Sequence, residues 1–184
     1  MKEFLIVSDI HGALSAARKI AELAPSYRHV LMLGDALYHG PRNDLPSSYN
    51  PKAVIPILNS IRDKIIAVRG NCDAEVDQMV LSFPVMSTTS IIQCDERTFI
   101  MSHGHIYNEE NLPPMAEGSV FLYGHTHIPV IREQSGIVIF NPGSTSIPKG
   151  GYPASYGEYD DGCLKVISLE EDREILSFEL KGRN

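Results

Sequence analysis

Apolar residues along the chain fall into short runs that stop at polar clusters, and this pattern sets the reading of the architecture. The segment 2–7 carries the continuous apolar run Phe4-Leu5-Ile6-Val7 and ends in Ser8-Asp9, after which Ala13, Leu14, Ala17, Ile20 and Ala21 recur at helical spacing. This reads as strand, loop, helix. A second run, 30–33, ends at Gly34-Asp35. Beyond a Pro- and Ser-rich loop, Asn50-Pro51 offers an N-cap and a first-turn proline to a helix carrying Val54, Leu58 and Ile61. A third run, 65–68, ends at Arg69-Gly70-Asn71. Three strand-loop units, two of them followed by helices, predict a largely parallel sheet with its functional loops gathered beyond the carboxyl ends of the strands.

The second half changes period. Segments 88–93, 98–102, 120–123, 130–133 and 137–141 are short and strand-like, separated by turn chemistry. Segments 163–169 and 174–180 close the chain as a hairpin around Glu170-Glu171-Asp172. An α/β half followed by a β-rich half predicts two sheets packed face to face with helices outside. The whole chain, 1–184, is read as a single domain, long enough to bury a core without disulfides.

Charge and cysteine content narrow the setting. Sixteen basic against twenty-three acidic residues give a net charge of -7 without a Lys/Arg cluster, which argues against stable binding of long nucleic acid. A small anionic substrate remains compatible if metals neutralise it locally. Cys72, Cys94 and Cys163 are an odd number in a chain without a recognisable secretory signal, so free thiols and a cytoplasmic location are expected. The run Phe4-Leu5-Ile6-Val7 is too short to span a bilayer, and no membrane association is expected.

Candidate chemistry lies where the runs end. Asp9-x-His11, Gly34-Asp35, Gly70-Asn71, His103-x-His105 and His125-x-His127 each follow an apolar run, and they hold five of the seven histidines. Each cluster has an ordinary reading. Asp9 can cap a helix; Gly34-Asp35 and Asn71 suit turns; His103 and His105 can be one core and one surface histidine. His125 and His127 are a stronger pair, because alternate residues of an extended segment face the same way and Gly124 permits close approach. One binuclear metal site explains all five clusters together, and its imidazole and oxygen donors suit Mn, Fe, Zn or Ni.

This set resembles the calcineurin-like metallophosphoesterases, whose signature is Asp-x-His, Gly-Asp, Gly-Asn-His followed by an acid, a later His, and Gly-His-x-His. The matching residues are Asp9 and His11, Gly34 and Asp35, Gly70 to Asp73, His103, and Gly124 to His127, with Asn141-Pro142-Gly143-Ser144 following. The resemblance implies that Asp9, His11 and His127 bind one divalent ion, that Asn71, His103 and His125 bind the other, and that Asp35 bridges them. Mn stands first among the candidate ions, ahead of Fe, Ni, Co and Zn. It further implies a four-layer αββα sandwich of two packed mixed sheets, and hydrolysis of phosphodiester bonds in small substrates. A non-catalytic interaction scaffold of the same fold and a phosphomonoesterase are the alternatives, and a homo-oligomer stays open.

One position departs from the signature. Cys72 stands before Asp73 where the family usually has the histidine that protonates the leaving group, and a thiol is a poorer hydrogen-bond donor than an imidazolium. Cys72 and Asp73 are therefore catalytic candidates, with simple packing as the other reading of the cysteine. His39 falls where many members carry Arg and is a candidate for stabilising transition-state charge or holding substrate. His105 and Ser144 are further substrate-binding candidates.

Overall fold

The computed structural model describes residues 1–180; residues 181–184 of the expected domain lie outside the described residues. Strands β1 (Lys2–Val7), β2 (Tyr27–Met32) and β3 (Ile65–Ala67) pair in parallel, linked through helices α1 (Leu14–Leu23) and α2 (Pro51–Ser60). The expected cap of α2 forms: the Asn50 side chain accepts from Ala53 N at 3.2 Å, and Pro51 opens the first turn.

The unbroken apolar run of β1 has a physical cause. Leu5 and Val7 join the core shared with α1 and α2, through Ala16, Ala17, Ile20, Val54 and Leu58. Phe4 and Ile6 face the other way, into a core with Phe99, Met101, Leu122 and Phe140 of the second sheet. A strand covered on both faces has no solvent side on which to alternate. The rings of Phe4 and Phe99 meet edge to face with centroids 5.3 Å apart.

The second sheet contains β4 (Thr89–Cys94), β5 (Arg97–Ser102), β6 (Val120–Leu122), β7 (Val130–Gln134) and β8 (Ile137–Asn141), ordered β4-β5-β6-β8-β7. Both sheets are mixed, as the αββα reading requires. The first sheet is not largely parallel, however. β9 (Ser155–Asp160), β10 (Cys163–Ser168) and β11 (Glu174–Glu179) extend it on the free side of β1, every one of those pairings being antiparallel. The closing hairpin of β10 and β11 is as expected. β9 was hidden by its composition: Gly157 is required because a Cβ there would lie 2.5 Å from the Phe140 ring, and Glu158 is buried only because it accepts from Lys2 Nζ at 2.6 Å and from the Tyr27 hydroxyl.

The outer layers differ. Helices cover the first sheet, and a short α3 (Glu75–Val80), absent from the sequence reading, follows the third strand loop. Ile100, Phe121, Tyr123 and Ile139 on the outer face of the second sheet are instead covered by irregular chain, through Tyr107, Leu112 and Met115. Pro113-Pro114 within that segment disfavours a helix there. No helix among the described residues is long and apolar enough to cross a membrane.

Candidate metal centre

The loops beyond β1, β2, β3, β5 and β6 meet in one volume, and their backbones are bent to do so. Asp9, His11, Asp35, His125 and His127 all have positive φ, between 47° and 64°, a region that residues with a Cβ enter at a cost of roughly 1–3 kcal/mol each. Glycine makes room beside them. A Cβ on Gly70 would sit 2.0 Å from Asp35 Oδ1, and one on Gly124 would sit 1.9 Å from Ser8 Oγ and 2.8 Å from Asp9 Oδ2.

The side chains form two connected groups. Asp9 Oδ1 lies 3.5 Å from His11 Nε2 and 3.2 Å from His127 Nε2, and the two imidazole nitrogens are 3.4 Å apart. Asp35 Oδ2 lies 3.7 Å from His11 Nε2 on that side and 3.3 Å from His103 Nε2 on the other. Asn71 Oδ1 is 3.0 Å from His103 Nε2. Asp35 thus stands between the groups. His125 is half-buried at the rim, its ring centroid 5.1 Å from that of His103.

Hydrogen bonds behind the site fix which atoms face it. The Nδ1 atoms of His11, His103 and His127 lie 2.8, 2.7 and 2.6 Å from the carbonyls of Tyr38, Leu33 and Ile147. A carbonyl only accepts, so each Nδ1 carries a proton and each Nε2 is turned to the centre as a donor atom. Asp9 Oδ2 accepts from the Ser8 hydroxyl at 2.6 Å and from His125 N at 3.0 Å, whereas Asp9 Oδ1 is buried with no hydrogen-bond partner. A buried, unpartnered carboxylate oxygen facing imidazole nitrogens is costly by itself and fits a divalent cation.

The charges are coupled accordingly. Burial opposes ionisation of Asp9, but contacts with His11 and His127 overcome it and hold the carboxyl well below its ordinary range. Asp35 is lowered in the same way, with burial outweighed by His103. Burial would neutralise His103, yet the Asp35 carboxylate raises it to about 9. His125 and His105 are lowered, by burial first and then by His103.

The remaining expected residues are placed differently. Cys72 lines the cavity above the centre, with Sγ near the donor atoms of His11 and Asp35; burial first, and the Asp35 charge next, push its thiol up to about 12. The Asp73 carboxylate is committed to backbone N–H groups. It accepts from Asp35 N at 2.8 Å, Ala36 N at 2.9 Å and Gly70 N at 2.7 Å, which makes it a brace between two ligand loops rather than a reacting group. Ser144 is another brace: wholly buried, it donates to Asp9 O and accepts from Ser146 N and Ile147 N. His39 packs between Tyr38 and Tyr49 and does not line the cavity. His105 lines a neighbouring hollow with His125 and Thr126.

The sequence reading missed Arg42, Asn43, Thr126 and Lys149, which line the cavity of about 370 Å³ over the centre. Arg42 and Lys149 are exposed and have no carboxylate partner among the described residues. Their only signal was a lone cation in each of two Gly- and Pro-rich turns, 40–43 and 148–151.

The chain is similar to known proteins in sequence and in fold. Phosphodiesterase YfcE of Escherichia coli is 46% identical over 173 residues, covering 93% of this chain and 94% of that protein. The solved structure of E. coli Yfce, described as a phosphoesterase, superposes with a TM-score of 0.95 at 45% identity, covering 98% of this chain and 100% of that one. Vacuolar Protein Sorting 29 from Cryptosporidium parvum shares the fold, with a TM-score of 0.61 at 19% identity over 96% of this chain and 97% of that one. The family model described as the calcineurin-like phosphoesterase superfamily domain matches residues 1–160, and to that superfamily this chain belongs.

Proposed function

We propose that the chain hydrolyses phosphodiester bonds in small substrates at a pair of divalent ions, Mn foremost. Asp9, His11 and His127 would hold one ion and Asn71, His103 and His125 the other, with Asp35 shared between them. The observation that carries this reading is the unpartnered, fully buried Asp9 Oδ1 among imidazoles whose Nδ1 atoms are each committed to a carbonyl. Divalent ions held by such a set would supply a hydroxide at neutral pH and polarise phosphoryl oxygens. The chain itself does the rest. Arg42 and Lys149 draw an anion into the cavity despite the net charge of -7, and Asn43 and Thr126 offer hydrogen bonds at its wall. Cys72, neutral under ordinary conditions, is placed at the cavity but is a weak proton donor to a departing alkoxide.

A scaffold would have no use for a buried carboxylate oxygen left without a hydrogen bond, which speaks for turnover over the scaffold reading. Free thiols and charge balance support a cytoplasmic protein acting on small molecules rather than on long nucleic acid. The test is an activity matrix of metal against substrate on metal-depleted protein. Aryl phosphodiester turnover restored by Mn, and exceeding monoester turnover, is the expected result. Metal-independent turnover, or a preference for monoesters, would reject the proposal.

A further inference from the structure

Cys72 lines two cavities of opposite character. The first, over the candidate metal centre, contains Arg42, Asn43 and Lys149 together with the ligands. The second, about 380 Å³, is walled by Tyr38, Tyr49, Ile55, Val76 and Val80 and meets the first at Cys72. Tyr38, Val76 and Val80 keep 43%, 59% and 39% of their surface exposed, so α3 and the Tyr38 turn offer apolar surface beside a polar site. The one carboxylate at this groove, Asp77, is buried and accepts from Ala74 N at 2.8 Å, which leaves the groove without a free charge. The Tyr38 and Tyr49 rings of this wall flank His39, with centroids 4.6 and 5.3 Å from it.

We propose that this groove is the subsite for an apolar, preferably aromatic, ester group of the substrate whose phosphoryl group lies in the adjoining cavity. The inference rests on the phosphodiesterase reading above. A phosphoester with an aryl substituent has the same two-part character as the paired cavities: an anionic head for the cationic rim and a flat apolar body for the aromatic wall. The volume and lining suit one ring, and apolar walls with few polar groups are the ordinary construction of such pockets. The exposed positions Val76 and Val80 on α3 line the groove, and neither is among the proposed metal ligands.

Calorimetric titration of the Mn-loaded protein with inorganic phosphate, methylphosphonate and phenylphosphonate separates the two readings. Phenylphosphonate is expected to bind about tenfold more tightly than methylphosphonate, as burial of one ring warrants. Val76→Gln and Val80→Gln, each on an exposed position, are expected to remove most of that difference while leaving inorganic phosphate binding unchanged. Equal affinity for the two phosphonates, or a preference that survives both substitutions, overturns the subsite while leaving the metal-centre reading intact. Failure of all three ligands to bind overturns the underlying reading instead. Sedimentation of the same samples covers the other occupant: a dimer dissociated by Val76→Gln would assign the groove to a second copy of the chain and overturn the subsite.

Discussion

The two sides of the candidate metal centre are built to different standards. On the Asp9 side every donor is buried, with Asp9 and His11 wholly inaccessible and His127 at 3% exposure, and both imidazoles are locked to backbone carbonyls. On the Asn71 side only His103 is held that way; Asn71 is exposed and His125 half-buried. Preorganised donors bind with less loss of side-chain freedom, so the difference teaches that the two positions should hold metal unequally, the Asp9 side more tightly. Asp35 Oδ2 lies between the two sides, 3.7 Å from His11 Nε2 and 3.3 Å from His103 Nε2.

The largest effect is therefore expected from Asp35→Asn, which removes charge from both positions at once. Breaking a buried charge cluster costs about 3 kcal/mol or more, so both Mn affinities should fall on the order of a hundredfold. Calorimetry on the mutant would read this directly, and loss at one position only would remove the bridging role.

A smaller and more selective change should follow from the unequal sides. His11→Gln is expected to weaken the tight Mn site by roughly thirtyfold, whereas His125→Gln should weaken only the loose one, by about tenfold. Equal losses in the two variants would erase the asymmetry.

pH sharpens the same contrast. His103 without metal titrates at about 9, above the ordinary histidine value of 6.5, and it must release a proton before Nε2 can bind an ion. Mn binding on its side should release about one proton at pH 7 and tighten by up to about tenfold per pH unit toward pH 9. In the metal-free protein, a raised folded value means that the His103–Asp35 contact stabilises the fold fully below 6.5 and is lost as pH rises through about 9. Thermal melting of metal-free and Mn-loaded protein across that window checks the sign: the metal-free form should lose stability toward pH 9.

The smallest expected effect concerns Cys72→His. Proton donation by a positioned imidazole contributes about 10²–10⁴-fold, but Asp73 is committed to the N–H groups of Asp35, Ala36 and Gly70 and cannot freely orient the new ring. A gain well below that range, about threefold and confined to poor leaving groups, is expected from a plot of rate against leaving-group acidity. A uniform gain would point to metal binding instead.

The candidate ligands were legible because each sits where an apolar run stops, and strand ends in parallel units converge by construction. His11 and Asp35 needed no knowledge of tertiary contacts to be suspected. The bracing contacts of Asp73 and Ser144 were not legible, because a catalytic or substrate-binding side chain and a brace for a ligand loop use the same residue types, and only the partners of their oxygens tell them apart. β9 was invisible for a related reason: Gly157 and Glu158 look like turn chemistry until Phe140 and Tyr27 are placed against them. Arg42 and Lys149 belong to no periodic element, so only the folded turns reveal that they share a cavity. The two packed sheets followed from the pattern and the resemblance, whereas the irregular form of the chain over the second sheet, around Tyr107, Leu112 and Met115, had no periodicity to announce it.

The central claim, a two-ion centre with unequal halves, is tested most directly by titrating the metal-depleted protein with Mn and counting bound ions. Two ions per chain, the first bound at least about tenfold more tightly than the second, is the predicted result. A single ion at saturation, or two indistinguishable affinities, would contradict it.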